Sequence, residues 1–235
     1  MKKGEMLYEG KAKKVFKTDE ADTYIIEYKD DATAFNAKKK GTIKGKGVVN
    51  NKMSAIIFEL LKEKGIPTHF IGLLSDSQQA VKAVEIIPME VVIRNVAAGS
   101  FSKRLGVEEG TILNTAVFEL YYKNDAYDDP LINDYHATAL GFATAAEIES
   151  IKKLAFQIND VLVEFFKQHG MRLIDFKIEF GRFHDEVILA DEISPDTCRL
   201  WEIGTERKMD KDRFRRDLGN VEETYQEVLA KIETN

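Results

Sequence analysis

The sequence predicts an α+β fold with two lobes, a β-rich N-terminal lobe and a mixed α/β C-terminal lobe. Short β-branched and aromatic runs fill the first third of the chain, whereas the longest helical periodicity begins near residue 145. The 235 residues suffice for one large domain or two smaller ones that share an interface. We place the boundary near residues 85–88, so that residues 1–85 and 86–235 form the lobes, and expect a ligand site in the cleft between them.

The N-terminal lobe is predicted to consist of strands and one helix. A lysine- and glycine-rich loop covers residues 38–47. Apolar residues then recur with helical spacing over residues 48–64, and Gly65 and Pro67 follow where such a helix would end. Strands are expected at residues 6–9, 14–17, 23–28, 68–74 and 79–84.

The C-terminal lobe contains the clearest element, a helix over residues 145–169. Thr144 and Glu147 have the spacing of a capping box at its start, and Gly170 follows its end. Before it lies a polar loop over residues 125–141, and a loop of this length is more often functional than idle. Strands are expected at residues 90–96, 116–123, 172–181 and 186–193, with short helical pieces at 99–106 and from 210 onward, the last broken at 219–220.

Composition and charge exclude several classes of function. The 34 basic and 40 acidic residues give a formal net charge of −6, which argues against a nucleic-acid partner. No apolar run approaches the roughly 18 residues of a membrane span, and the N-terminus lacks the apolar stretch of a secretory signal. One cysteine allows no intrachain disulfide. We therefore expect a cytoplasmic protein that does not bind a membrane.

The predicted hairpin over residues 172–193 carries the first candidate site. Alternation places three charged side chains on one side of its first strand, namely Asp175, Lys177 and Glu179. If a turn of about five residues closes the hairpin, Asp191 lies on the same side of the sheet, diagonal to Glu179. Two carboxylates in this arrangement suit Mg²⁺, which prefers oxygen ligands. A solvated sheet face with cross-strand ion pairs would give the same pattern. The turn at residues 194–196, which directs the chain toward Arg199, favours a site.

Two further segments are candidate anion-binding sites. Lys11 and Lys13 share one side of a strand–turn–strand segment and could reach a polyphosphate, although two surface lysines would look the same. Arg94 ends an apolar strand, and the small residues 97–100 follow it. If a helix begins at these residues, its N-terminus would favour an anion. The same residues are also common in ordinary turns. The glycines of residues 41–47 do not have the spacing of a Walker A loop.

Together these segments resemble the SAICAR synthetase (phosphoribosylaminoimidazole-succinocarboxamide synthase) family of purine biosynthesis. The resemblance runs from YEGKAK at residues 8–13 to DKDRFR at 210–215. Its most specific parts are VIRNVAAGS (92–100), DFKIEFG (175–181), LADEISPD (189–196) and RLW (199–201), together with GVVNNK (47–52).

The resemblance implies a SAICAR synthase-like two-lobed fold and a ligase. Such an enzyme joins L-aspartate to the carboxylate of an imidazole ribonucleotide, consumes ATP with Mg²⁺, and passes through an acyl phosphate. The implied partners are these small molecules and, in solution, a second copy of the chain in a homodimer or other homo-oligomer.

The resemblance also assigns roles to individual residues. Lys177, Glu179 and Asp191 are implied to be catalytic, with Glu179 and Asp191 holding Mg²⁺. The residues implied to bind ATP are Gly10, Lys11, Ala12, Lys13, Lys82, Val84 and Lys123. Those implied to bind the substrates are Arg94, Ser100, Asp129, Asp175, Lys177, Asp196, Arg199 and Arg215.

The chain departs from the family pattern at two places. Ala37 stands where the family often has glycine, and Thr197-Cys198 replaces a common Gly-Ser pair.

Two other functions stay open on the residues alone. A kinase-like phosphotransferase would use similar lobes, but the H-R-D-x-x-x-x-N pattern of a protein-kinase catalytic loop is absent. The other is a nucleotide-binding module without chemistry.

Overall fold

The computed structural model describes residues 1–34 and 39–234. Ala37, at which the sequence departs from the family pattern, lies outside these residues. The α+β class predicted from the sequence is confirmed, because the described residues form two large antiparallel sheets and a two-stranded one, with helices packed against the large sheets. None of the described helices has the length and apolar content needed to cross a membrane.

The first sheet is built from strands within residues 3–82. In chain order the elements of this region are β1 (Lys3–Glu9), β2 (Lys13–Thr18), β3 (Thr23–Tyr28), β4 (Asp31–Ala34), β5 (Lys39–Thr42), α1 (Lys46–Glu63), β6 (Phe70–Ser75) and β7 (Gln78–Lys82). The sheet has the order β1-β2-β3-β7-β6, while β4 and β5 form a separate hairpin. The loop predicted at residues 38–47 is thus partly wrong, since it contains β5 and the start of α1.

The second sheet is built from strands within residues 85–202. The elements here are β8 (Glu85–Val96), α2 (Gly99–Leu105), β9 (Ile112–Tyr122), β10 (Leu131–Ile132), α3 (Asp134–Ala139), α4 (Ala145–Gln168), β11 (Met171–Phe183), β12 (Glu186–Ala190), β13 (Cys198–Glu202), α5 (Asp212–Arg215) and α6 (Val221–Glu233). The order is β10-β9-β8-β11-β12, and β13 also pairs with β11. The loop predicted at residues 125–141 is partly wrong, since it contains the short β10 and α3. Strand β13 was not predicted.

Helix α1 connects the two parts of the chain. Its apolar residues join one large core cluster with β8, α4, β11 and α6, although α1 itself precedes residue 85. Several polar side chains near its N-terminus are fully buried, and they include Lys46, Asn50 and Asn51. Lys46 donates to Asp196, so the N-terminal end of α1 is held against the C-terminal half of the chain. The division of the chain at residue 85 stays a prediction.

Helix α4 forms as its sequence pattern predicts. Thr144 Oγ1 accepts a hydrogen bond from the backbone N–H of Glu147, and the Glu147 carboxylate accepts one from the backbone N–H of Thr144. This capping box satisfies backbone donors that the first turn of a helix leaves without partners. The helix packs on β11 and β8, so it supports the strands that carry the charged side chains.

Candidate active site

A cavity of about 480 Å³ opens between the two sheets. One end is mainly apolar and is lined by Leu7, Val15, Ile26, Val81, Val84 and Ile86. The other end is charged and is lined by Lys11, Lys13, Lys123, Lys177, Glu179 and Asp191. A flat apolar group with a chain of phosphates matches this division, because apolar surfaces bury a base and ammonium groups bind phosphate oxygens.

The charged end is organised around the amine of Lys177. Lys177 Nζ donates to Glu179 Oε1 at 2.7 Å and to Asp191 Oδ2 at 3.1 Å. Lys123 also donates to the Glu179 carboxylate, and Lys13 donates to that of Asp191. Residues on β2 and β11 thus meet residues that directly follow β9 and β12.

The backbone of Asp191 turns its side chain toward this cluster. Strand pairing places Glu179 opposite Ala190, so regular alternation would send the next side chain to the other face of the sheet. Asp191, however, has a φ of 63°, in the left-handed region that non-glycine residues rarely adopt. The predicted turn of about five residues was wrong, since only His184 and Asp185 separate β11 from β12. The carboxylate reaches the charged side because of this backbone change.

The surrounding ammonium groups keep the Asp191 carboxylate ionised. Burial alone would raise its pKa, but Lys13, Lys177 and Lys123 outweigh burial and hold the pKa well below its usual range. For Lys13, burial would lower the pKa, but Asp191 and Glu192 raise it above its ordinary value. Both members of the pair are therefore charged at neutral pH.

Glu179 and Asp191 fit a magnesium ion that also binds phosphate. In residues 1–34 and 39–234, no group of three or more His, Cys, Asp and Glu side chains is arranged to hold a metal by itself. Mg²⁺ is commonly held by one or two carboxylates together with substrate phosphate oxygens and water. The two carboxylates here lie on one side of the cavity and share Lys177, which is consistent with a site completed by phosphate.

A second cavity, also of about 480 Å³, adjoins the first. The two share the side chains of Lys11, Glu90, Asp129 and Lys177 as lining. Glu90 was not among the predicted site residues. Its pKa is raised because burial and the nearby Glu179 and Asp129 outweigh Lys177. A group bound in one cavity would meet a group bound in the other beside Lys177.

Arginines and acids alternate on the wall of the second cavity. Arg94 donates to Glu119 and to Asp175, each at 2.7 Å, and to Ser100 Oγ at 3.2 Å. Arg199 Nη1 donates to the same Asp175 at 2.9 and 3.0 Å. These arginines are fixed by carboxylates on their inner sides, which prepares them to bind an anion.

Glycine at position 99 makes room for Arg199. A Cβ atom at Gly99 would lie 2.5 Å from Nη2 of Arg199, and Gly99 also has a positive φ of 55°. Only glycine combines this backbone conformation with so close an approach. The small residues noted after Arg94 therefore admit an arginine side chain.

Asp196 lies in the turn between β12 and β13 and is bound from three directions. Its Oδ2 accepts from the fully buried Lys46 at 2.9 Å and from Lys211 at 3.4 Å. Its Oδ1 accepts from the Tyr225 hydroxyl at 2.7 Å. Burial would raise the pKa of Asp196, but Lys211 and Lys46 hold it below the usual value. Lys46, Lys211 and Tyr225 were missed because their partner is distant in sequence.

Every residue predicted for the site lines one of the two cavities. The first cavity includes Gly10, Ala12 and Lys82, and the second includes Asp129 and Arg215. The Thr197-Cys198 departure also lies on the second cavity. Burial raises the pKa of the Cys198 thiol, which disfavours a nucleophilic thiolate. The individual roles of these residues stay predictions.

Comparison with known proteins places this geometry in a family. The chain matches the SAICAR synthetase family model over residues 6–232. Phosphoribosylaminoimidazole-succinocarboxamide synthase of Clostridium kluyveri is 60% identical over 235 residues, which is 100% of both chains. The crystal structure of the Ehrlichia chaffeensis synthase of that name has a TM-score of 0.96 and 48% identity, covering 98% of this chain and 99% of that one. A SAICAR synthetase in complex with ADP has a TM-score of 0.95 and 48% identity, covering 98% of each chain.

Proposed function

The chain belongs to the SAICAR synthetase family, and from this membership we propose that it joins L-aspartate to an imidazole ribonucleotide at the expense of ATP. The substrate is 5-amino-1-(5-phosphoribosyl)imidazole-4-carboxylate, and the products are SAICAR, ADP and phosphate. The observation that carries the proposal is the meeting of two cavities at Lys177, one suited to a nucleotide and one rich in arginine.

We assign the first cavity to ATP. The apolar end, with the backbone near Lys82 and Val84, would receive the adenine, and Lys11, Lys13 and Lys123 would bind the phosphates. Gly10 and Ala12 lack large side chains, so the β1–β2 turn can lie close to those phosphates. The structure of a relative in complex with ADP supports a nucleotide site in this family.

We assign the second cavity to the ribonucleotide. Arg94, Ser100, Arg199 and Arg215 would bind its phosphate, since guanidinium groups suit phosphate oxygens. Asp175, Asp196 and Asp129 would orient its ribose, imidazole or carboxylate. The carboxylate would then lie near Lys177, where the γ-phosphate of ATP would also be found.

The reaction would begin with phosphoryl transfer. An oxygen of the substrate carboxylate attacks the γ-phosphorus, the bond to the bridging oxygen breaks, and ADP leaves. Lys177 and Lys13 would stabilise the charge on the phosphoryl oxygens, because their positions are already fixed by the carboxylates around them. Mg²⁺, held by Glu179 and Asp191, would supply further neutralisation of the phosphates.

The second step would form the new bond. The L-aspartate amine attacks the carbonyl carbon of the acyl phosphate, the carbon–oxygen bond to phosphate breaks, and inorganic phosphate leaves with the bonding electrons. The nitrogen gives up one proton to the departing phosphate as the amide forms. Exclusion of water by the substrates bound around Lys177 would limit hydrolysis of the acyl phosphate.

The test is ADP release, with ribonucleotide, L-aspartate and Mg²⁺ each omitted in turn. We expect release coupled to SAICAR formation only when all are present. Equal ADP release with a simple alcohol as acceptor would replace the ligase with a phosphotransferase. Nucleotide binding without release under any condition would leave a binding module.

We also propose a cytoplasmic homodimer. The absence of paired cysteines supports a reducing compartment, and light scattering tests the assembly. A single monomeric species at micromolar concentration would contradict the dimer.

A further inference from the structure

The geometry points to Asp212 as a positioning residue that aims Arg199 and Arg215 at the phosphate of the ribonucleotide. This inference rests on the proposed function, and it concerns a residue that does not line either cavity. Asp212 is therefore expected to act through the two arginines.

The carboxylate of Asp212 is shared between the two arginines. Its Oδ2 accepts a hydrogen bond from Nε of Arg199 at 3.0 Å. Its Oδ1 accepts one from Nη1 of Arg215 at 2.6 Å. The side chain is almost completely buried, so these contacts are shielded from water and are stronger than similar contacts at the surface.

Asp212 is itself held in place by Asp210. The backbone N–H of Asp212 donates to Asp210 Oδ1 at 2.7 Å. The other oxygen, Oδ2, accepts from the backbone N–H of Leu200 at 2.9 Å. Leu200 directly follows Arg199 on β13. Asp210 therefore ties the segment containing Asp212 to the strand that carries the arginine.

These contacts leave one part of the Arg199 guanidinium for a ligand. Nε is bound by Asp212, and Nη1 is bound by Asp175. Within the described parts of the chain, Nη2 has no hydrogen-bond acceptor, and it lies against Gly99 at the start of α2, beside Ser100. The carboxylate of Asp212 at Nε and that of Asp175 at Nη1 fix the plane of the guanidinium and thereby the direction of the Nη2 donors.

The charge balance supports the same role. Burial would raise the pKa of Asp212, but Arg199 and Arg215 lower it to about 2, so the carboxylate is ionised at neutral pH. The guanidinium of Arg216 also lies 3.4 Å from this carboxylate, so one negative charge stands among three positive ones. The residual positive charge suits a phosphate, whereas removal of Asp212 would leave these neighbouring cations to repel each other.

The experiment measures the Kd of the ribonucleotide and of ADP for wild type, Asp212→Asn and Asp212→Ala by calorimetry. We expect the ribonucleotide Kd to rise about 10-fold in Asp212→Asn and about 50-fold in Asp212→Ala, as a buried charge-assisted contact is lost. The ADP Kd should change less than about twofold, since ADP occupies the other cavity.

A substrate lacking the phosphate separates positioning from general structural damage. For the corresponding nucleoside, wild type and Asp212→Asn should bind with equal Kd, because no phosphate is present for the arginines to bind. Glu227→Gln is the matched control, since Glu227 pairs with Arg207 at 2.6 Å but lines neither cavity. Its ribonucleotide Kd should match that of wild type.

Equal ribonucleotide Kd values in wild type and Asp212→Asn would overturn the inference. So would a parallel loss for ribonucleotide, nucleoside and ADP, which indicates structural damage. If wild type itself does not bind the ribonucleotide, the proposed function fails instead. Asp212→Asn keeps the shape of the side chain, so the comparison does not depend on the folding of Asp212→Ala.

Discussion

Lys13 on β2 and Asp191 after β12 form an ion pair across the cleft between the two sheets. The lysine is expected to bind the phosphates of ATP, and the carboxylate is expected to hold Mg²⁺. Within this pair each side chain neutralises the charge of the other. Binding of Mg²⁺ and ATP would therefore replace this ion pair, with Asp191 then binding the metal and Lys13 the phosphates.

Replacement of Asp191 tests this exchange. We expect Asp191→Asn to lower the rate of coupled ADP release on the order of 100-fold, because a neutral amide neither balances Lys13 and Lys177 nor replaces a carboxylate on the metal. Steady-state kinetics at saturating substrates measures the effect. Asp76→Asn is the control, since Asp76 lines neither cavity and pairs with Lys52 at 3.1 Å while 77% exposed, where ion pairs contribute little. Comparable activity in both variants would contradict the role of Asp191.

Substitution of Gly99 tests the close approach of Arg199. Gly99→Ala should raise the Kd of the ribonucleotide about 10-fold, since the new Cβ must displace the guanidinium. Gly65→Ala provides a matched control, because Gly65 also has a positive φ, 75°, but a Cβ there meets no atom within 4 Å. Both variants should lose about 1 kcal/mol of stability from backbone strain. Calorimetry would count against the steric account if both variants bound equally well.

Removal of the Lys46 amine should destabilise the whole protein. Lys46→Met leaves the Asp196 carboxylate buried without its closest cation, and breaking a buried ion pair in this way typically costs about 3–5 kcal/mol. Urea unfolding measures the loss. Lys62→Met, on the exposed side of the same helix, should change the free energy of unfolding by less than about 1 kcal/mol. The double variant Lys46→Met/Asp196→Asn should recover part of the loss, and no recovery would argue against the pair as its cause.

His69 should contribute to the loss of stability in acid. Burial, together with the charge of Lys13, lowers its pKa to about 3 from an ordinary value of 6.5. The folded state therefore resists protonation that the unfolded state accepts, so this contribution is fully present above pH 6.5 and declines as pH falls toward 3. The free energy of unfolding of His69→Gln should accordingly fall less than that of wild type over this range.

Urea unfolding at several pH values measures that difference. His184→Gln, an exposed histidine in the β11–β12 turn, controls for the loss of an imidazole. If the free energy of unfolding fell equally with pH in wild type and His69→Gln, other groups, such as the paired carboxylates, would account for the loss of stability in acid.

The sequence predicts those parts of the fold that depend on local pattern. The capping box at Thr144 and the alternation along β11 both lead to the observed elements. Strand β13 was missed because five residues beside a Ser-Pro-Asp turn carry too short a pattern. The contact between Lys46 and Asp196 joins residues 150 positions apart, and no local pattern predicts such a pair. Asp191 was placed on the correct side of the sheet for the wrong reason, because its positive φ replaces the longer turn that was expected.

The residues around Asp196 also bear on the kinetics of folding. This carboxylate is bound by Lys46 and Tyr225, and Lys13 contacts a carboxylate 178 residues later in the chain. Contacts between such distant residues form late, because the entropy of closing long loops is lost before the contacts can compensate for it. A refolding chain would accordingly form helix α4 early and its ligand-binding cavities last. Recovery of enzymatic activity would then follow the slowest folding phase, which makes activity a sensitive probe of complete folding in this protein.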